Sequence, residues 1–276
     1  MSQEELEIRS LRGWEELEAC VELQLQTWGA GDVVPASMLL AAQKSGAVLA
    51  GAFDAGALVG AVFGLPAVHD QRIGHWSHML AVRESHRDRK IGLRLKAFQR
   101  QTLLRTGVRR ASWTFDPLEA RNAHFNLNRL GAQVDAYECN LYGAGGANIL
   151  HRGIGTDRFV VQWQLDSERV RRALAGQAPA WSPDAESASI VNAAVEADGA
   201  IVPTRCDAAP AHLVRVEIPR DIQDLKRHLP AAAARWRQVT RAAFRDYLGR
   251  GFVVERFRRD AATQRCFYLL RQRTSR

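Results

Sequence analysis

At 276 residues, 46% of them hydrophobic and 25% charged, the chain can bury a substantial core and has the balance of a globular protein. No apolar run reaches the length that crosses a bilayer, and the acidic start from Met1 to Glu7 does not read as a signal peptide. The net charge of +8 is concentrated: residues 211–276 hold 16 Lys/Arg against 6 Asp/Glu, which leaves residues 1–210 slightly acidic.

Leu6–Ser10 reads as a first strand and Gly13–Trp28 as a helix, with Trp14, Leu17, Val21 and Leu25 on one face. Pro35 opens a short second helix through Met38, Leu39 and Ala42. Ala47–Phe53 and Ala57–Leu65 form a hairpin around Asp54-Ala55-Gly56. A buried strand, His75–Val82, runs into a polar turn, Arg83–Lys90, and then an amphipathic helix from Ile91 to Thr106. Arg109–Phe115 is a strand stopped by Asp116-Pro117. Asn122–Leu130 is a helix closed by Gly131, and Val134–Tyr142 and Arg158–Leu165 are two further strands.

Residues 1–166 thus form one domain. Residues 167–210 read as a linker region: Asp166–Ala175 extends as a short helix, Gly176–Glu186 is rich in Pro, Gly and Ala, and Ser189–Val195 and Ala200–Pro203 are weak strand candidates. Residues 211–276 are a basic α+β extension. It holds a strand at Leu213–Ile218, a helix from Pro230 to Leu248 and a hairpin of Phe252–Phe257 with Arg265–Leu270. The helix carries Ala233, Trp236, Phe244 and Leu248 on one face, and Gly249 and Gly251 end it. The fold class is α/β (α+β): a mixed, mostly antiparallel central sheet flanked by helices, with a smaller C-terminal extension.

Cys20, Cys139, Cys206 and Cys266 lie far apart without a C-x-x-C pair and read as isolated buried thiols in a reducing cytoplasm, with no metal site. Only four residues are lysines, and the arginine bias fits base composition. No helix-turn-helix, zinc or RNA-binding motif accompanies the basic tail, so nucleic-acid binding rests on charge alone. A P-loop pattern is absent.

The segment His75–Gly107 carries the most chemistry. Strand, basic turn and helix present free backbone N–H groups and the positive end of a helix dipole to a phosphate, and Arg87, Arg89 and Lys90 add charge there. A diphosphate suits that turn. The residues resemble the GNAT superfamily of acyl-CoA-dependent acyltransferases, whose pyrophosphate loop, Q/R-x-x-G-x-G/A, follows a strand ending in Leu-x-Val. Here Leu80-Ala81-Val82 ends the strand and Arg87-Asp88-Arg89-Lys90-Ile91-Gly92 fills the loop, with Lys90 where the first glycine usually stands. The β-α-α-β-β-β-α-β-α-β-β order over residues 4–166 and the stretch Asn122–Ala132 extend the resemblance.

The resemblance implies an N-acyltransferase that moves an acyl group (acetyl, succinyl or similar) from acyl-CoA to the amine of a small molecule, such as an amino acid. The protein would be cytoplasmic, without membrane or metal, and a homodimer is compatible with it. Arg87 to Gly92 and Leu93 would hold the diphosphate, and the backbone of Leu80, Ala81 and Val82 the pantetheine and thioester. Asn122 would bond the pantetheine arm or simply cap its helix, with Phe125 beside it. The tyrosine that often serves as general acid is replaced by Leu127, for which Tyr137 and Tyr142 are substitutes. Strand alternation places Trp76, His78, Leu80 and Val82 on one face, with Ser77 and Met79 on the other.

His78 is the candidate general base, or else a packed strand histidine. Asp116 is a second acid/base candidate or a plain strand exit. Arg158 grips a substrate carboxylate with Asp157 orienting it, or the two close a loop; Trp76 and Tyr142 would line the acceptor side. Two other classes stay open. One is a non-catalytic acyl-CoA-binding sensor or interaction module, suggested by Lys90 and Leu127; the other is nucleic-acid binding through the Arg-rich tail.

Overall fold

A computed structural model describes residues 6–69, 71–143, 153–177, 181–197, 200–204 and 211–273. The start of the chain, part of the linker and Cys206 lie outside the described residues. Seven strands form a mixed, mostly antiparallel sheet in the order β1-β2-β3-β4-β5-β7-β6. They are β1 (Glu7–Ser10), β2 (Val48–Asp54), β3 (Ala57–His69), β4 (Arg72–Val82), β5 (Arg110–Phe115), β6 (Gln133–Glu138) and β7 (Arg158–Gln164). The helices between them are α1 (Gly13–Trp28), α2 (Ala36–Lys44), α3 (Ile91–Arg105) and α4 (Ala120–Ala123). The expected element order is therefore the observed one from Glu7 to Gln164. A C-terminal β/α region follows. Among the described residues, no helix is long and apolar enough to cross a membrane.

The described residues fall into two compact units: 6–113 with 163–170, and 114–143 with 153–162 and 171–273. In the first unit, β1 to β4 pair antiparallel in sequence order. One sheet face takes Leu17, Cys20 and Leu23 of α1 and Leu39 of α2 against Phe53, Phe63, Met79 and Ala81. The other takes Ile91 and Leu95 of α3 against Ala50, Ala52, Val59 and Val62, with Leu80 and Val82 packed beside them. The buried stripe of α1 is thus Leu17, Cys20, Leu23 and Gln24, whereas Trp14 and Leu25 are exposed. A stripe read on apolar residues alone is rotated, because Gln24 is buried to bond Val34 through both backbone groups.

In the second unit, α5 (Glu168–Leu174, which begins in the first) and α6 (Pro183–Ser187, capped by Ser182) lead to β8 (Ser189–Ile190), β9 (Ala194–Ala197) and β10 (Ala200–Pro203). Then come β11 (Leu213–Ile218), α7 (Ile222–His228), α8 (Pro230–Gly249), β12 (Phe252–Arg259) and β13 (Cys266–Gln272). Four of these strands form a sheet in the order β12-β13-β11-β8, and β9 pairs with β10. The core is aromatic: Phe159 of β7 packs edge-on against Phe244 of α8 and Tyr268 of β13, and Tyr137 of β6 touches Phe159 and Phe244. Tyr268 donates to the Pro117 carbonyl at 2.8 Å, since a buried phenol needs a partner. The α8 stripe ends on Tyr247 where Leu248 is expected, α6 falls largely within the Gly176–Glu186 linker stretch, and α7 has no counterpart in the sequence reading.

Two further expectations are corrected. The helix expected from Asn122 starts at Ala120, because the Asp116 carboxylate accepts the Leu118 N–H and the Asp116 carbonyl the Glu119 N–H, leading the chain straight into a turn. Asn122 is inside that helix and does not cap it. The helix then widens over His124–Arg129, with Leu130 N–H donating to Phe125 five residues back. Cys20 and Cys266 are buried free thiols, but Cys139 is exposed.

Candidate functional site

In the first unit, strand β4 breaks its own alternation. Phe63 pairs with Met79 and Leu65 with Trp76, so two residues of β4, Ser77 and His78, oppose Gly64 alone. The bulge moves side chains between faces. Ser77, expected beside Met79, instead donates to Gln99 Oε1 of α3 at 3.1 Å, on the face that also takes Leu80 and Val82. Trp76 pairs with Leu65, on the face of Phe63 and Met79. His78 is exposed, its ring edge-on to Phe63 at 5.9 Å. Gly64 is required by close approach: a Cβ there would run into His75 Nε2 and meet the Trp76 carbonyl at 2.7 Å.

Pairing of β4 with β5 is parallel and involves His75 with Ala111 and Trp76 with Ser112. Downstream of the bulge, Leu80, Ala81 and Val82 pair with Val62, Ala61 and Gly60 of β3.

The turn after β4 is built by left-handed backbone. Arg83 N–H donates to Val59, a short helical turn spans Glu84–His86, and Arg87 N–H returns to Glu84. Asp88 (φ 64°) and Lys90 (φ 59°) then both take positive φ. That is a conformation glycine adopts freely and a lysine only with strain. Arg94 N–H is bonded to the Lys90 carbonyl at 3.1 Å, so the N–H groups of Ile91, Gly92 and Leu93 stand at the helix start with no acceptor within the helix. Arg89 is held by Asp54 at 2.7 Å, and Arg87 reaches Glu84 at 3.3 Å. The Arg89 hydrogen bond, with a smaller contribution from His86, lowers the pKa of Asp54. The exposed Lys90 ammonium has no ion-pair partner among the described residues, so its charge is the one left to a ligand.

Behind the bulge lies a buried polar cluster that sequence reasoning missed. Lys96 Nζ donates to Ser77 Oγ at 3.0 Å and to Gln99 Oε1 at 2.7 Å, and Gln99 reaches His75 Nε2 at 3.0 Å. The ammonium lies 3.9 Å from the centre of the Trp113 ring and 4.9 Å from that of Trp163. Burial lowers Lys96 to about 7, and burial together with the Lys96 charge lowers His75 to about 4. The available signal was one of only four lysines in an arginine-rich chain, one residue from the apolar stripe of α3.

The second unit holds the remaining candidates. Asp157 is buried and accepts from Tyr137 Oη at 2.5 Å, from the Asn140 N–H at 3.0 Å and from Arg241 at 2.6 Å. Burial raises the Asp157 pKa, but the Arg241 and Tyr137 hydrogen bonds prevail and leave it lowered. Burial and the same carboxylate raise Tyr137. Arg158 donates to the Asp157 backbone carbonyl, not to its carboxylate. It faces Asp116 at 3.8 Å and lies 5.2 Å from the ring centre of the half-exposed Tyr142, whose hydroxyl is 2.9 Å from Thr114 Oγ1. Asp116 itself takes Arg237 at 2.5 Å. Arg237 and Arg241 come from α8, where Arg237 follows Trp236 on the buried stripe; a charge on an apolar face was the readable signal. Asn122 is exposed and Phe125 half-buried on the α4 segment. Among the described residues, no three His, Cys, Asp or Glu side chains are grouped to hold a metal.

No family model and no curated protein matches the chain. Solved structures similar to it include an alanine N-acetyltransferase of a ribosomal protein from Escherichia coli (14% identity, 59% of this chain and 96% of that one, TM-score 0.47). An acetyltransferase of the GNAT family from Streptococcus pneumoniae is similar at 16% identity, over 57% and 98%, with a TM-score of 0.46. An aminoglycoside 6'-acetyltransferase type Ii is similar at 18% identity, over 59% and 99%, with a TM-score of 0.47.

Proposed function

We propose that the protein is an acyl-CoA-dependent N-acyltransferase that takes an acyl group such as acetyl or succinyl to the amine of a small molecule. The observation that carries this reading is the turn between β4 and α3. Two left-handed residues, Asp88 and Lys90, bend the backbone so that the N–H groups of Ile91, Gly92 and Leu93 open a fifteen-residue helix, with the Lys90 cation beside them. Such a helix start takes phosphate oxygens through N–H donors and dipole together. Arg87 and Arg89 add positive potential, tempered by Glu84 and Asp54.

A CoA diphosphate seated there leaves its pantetheine arm to run back along Leu80–Val82 towards the bulge. In this reading main-chain N–H groups of β4 at the bulge polarise the thioester carbonyl. His78, exposed at that bulge, then accepts the proton that the attacking ammonium must lose. The order of strands and helices from Glu7 to Gln164 supports the same reading. Asp116 and Asp157 serve as structural carboxylates in it, since each is occupied by arginine.

Isothermal titration of CoA into the wild type and Gly92→Val tests the reading. A branched side chain at the helix start should weaken CoA by about 1–3 kcal/mol. Equal affinity in a folded Gly92→Val protein removes the diphosphate site, and absence of free thiol with every acyl donor and amine tried removes the transfer step.

A further inference from the structure

We propose that Arg158 and Arg237 form a binding site for a carboxylate-bearing ligand in the second unit. The site is one guanidinium richer than its own carboxylates can serve. Of its two buried aspartates, Asp157 is committed to Arg241, at 2.6 and 2.8 Å, and to the Tyr137 hydroxyl. Asp116 alone is left for Arg158 and Arg237, at 3.8 and 2.5 Å, while its other oxygen accepts the Leu118 N–H. Both arginine side chains are about one-twentieth exposed.

Arg237 donates through Nε to the Ile154 carbonyl and through Nη2 to Asp116, but its buried Nη1 has no hydrogen-bond partner among the described residues. A buried N–H of a charged fork left without an acceptor costs more than an ordinary missing bond, and so marks a place built for one. The nearby Glu119 and Lys226 do not supply it: Glu119 accepts from Gln223, and Lys226 adds a further positive charge.

Two guanidiniums facing one carboxylate suit a second, incoming carboxylate, which is planar, singly charged and able to accept from both forks. A dianion would overshoot the single uncompensated charge. The Tyr142 ring beside Arg158 is half exposed and gives the site an apolar flank towards solvent. As a binding site this stands without the acyltransferase reading; should that reading hold, it makes the acceptor an amine that also carries a carboxylate. Because the ligand is read by its carboxylate alone, binding can be measured with no acyl-CoA present.

Trifluoroacetate is the probe, followed by its fluorine resonance in the presence of the full chain at fixed ionic strength. We expect a broadened line that acetate reverses and acetamide and chloride do not. In Arg237→Gln the apparent affinity should fall at least tenfold, whereas Arg250→Gln, which removes the same charge from an exposed arginine, should leave it unchanged. Circular dichroism checks each fold, and Arg158→Gln provides the second reading should Arg237→Gln not fold. No broadening in the wild type, displacement by chloride as readily as by acetate, or equal affinity in the folded variants would overturn the proposal.

Discussion

Lys96 Nζ lies 3.0 Å from Ser77 Oγ, deep beneath α3, where it meets two indole faces and an amide oxygen and makes no ion pair among the described residues. Burial brings the amine to about 7, well below its ordinary value of 10.5. The unfolded chain therefore binds a proton that the folded chain does not over most of the interval between them. Stability should rise with pH through that interval, by up to about 1.4 kcal/mol per unit. Above pH 9 the buried thiols Cys20 and Cys266, raised by burial to about 12 and 11, work in the opposite sense. Urea unfolding at pH 7, 8 and 9 should show the rise, and Lys96→Met should flatten it and add ~1–4 kcal/mol at pH 7. A slope unchanged in Lys96→Met would assign it to another group.

Lys90 provides a second test, because its side chain and its backbone pull in opposite directions. A φ of 59° costs a lysine roughly 1 kcal/mol that a glycine is spared. Lys90→Gly should therefore raise the melting temperature by a few degrees while removing the ammonium at the helix start. CoA should bind that variant a few-fold more weakly at low salt, and the difference should shrink as salt screens the lost charge. A melting temperature that falls would mean the lysine side chain contributes more than its backbone costs.

The limits of sequence reading show in the same elements. Strand β11 was legible to the residue, Leu213–Ile218, because its apolar alternation ends on a proline. The turn at Arg87–Gly92 was legible because helix starts and basic side chains leave a local mark. The bulge left none: an extra residue at Ser77–His78 changes which face every later side chain takes, yet Ser and His are unremarkable in a strand. The start of α4 shifted for a like reason, since a carboxylate bonded to the chain two residues on is not a feature of composition. Lys96 and Arg237 were visible as charges on or beside apolar stripes. Their partners, Ser77 and Asp116, lie 19 and 121 positions away, beyond the reach of any periodicity.

Asp157 ties β7 to α8 and β6 within the second unit, through Arg241 and Tyr137. Its pKa is lowered in the fold, so its contribution is fully present above the ordinary aspartate value and is lost as pH falls through the lower, folded one. Asp157→Asn keeps the size and one acceptor but leaves Arg241 without its charge partner. The cost should be about 3 kcal/mol at pH 7, and the difference from wild type should narrow towards pH 3. Chemical denaturation at the two pH values reads both. A difference that stays constant would mean that the hydrogen-bond geometry matters and the charge does not.

His78 is where the acyltransferase reading is most exposed. The imidazole stands on the bulged residue of β4, edge-on to Phe63, beside the strand segment along which a thioester would lie. From there it reaches an incoming ammonium directly or through one water. His78→Gln retains size and a hydrogen-bonding end, so it should leave CoA affinity within about two-fold while lowering turnover by roughly 100-fold. The wild-type rate should rise with pH through a step that the variant lacks. Thiol release measured across pH, with CoA titration alongside, separates the two effects. Equal rates and an identical pH step would make His78 a packed strand histidine and leave the proton to water. A loss of CoA affinity equal to the loss of rate would place His78 in cofactor binding instead.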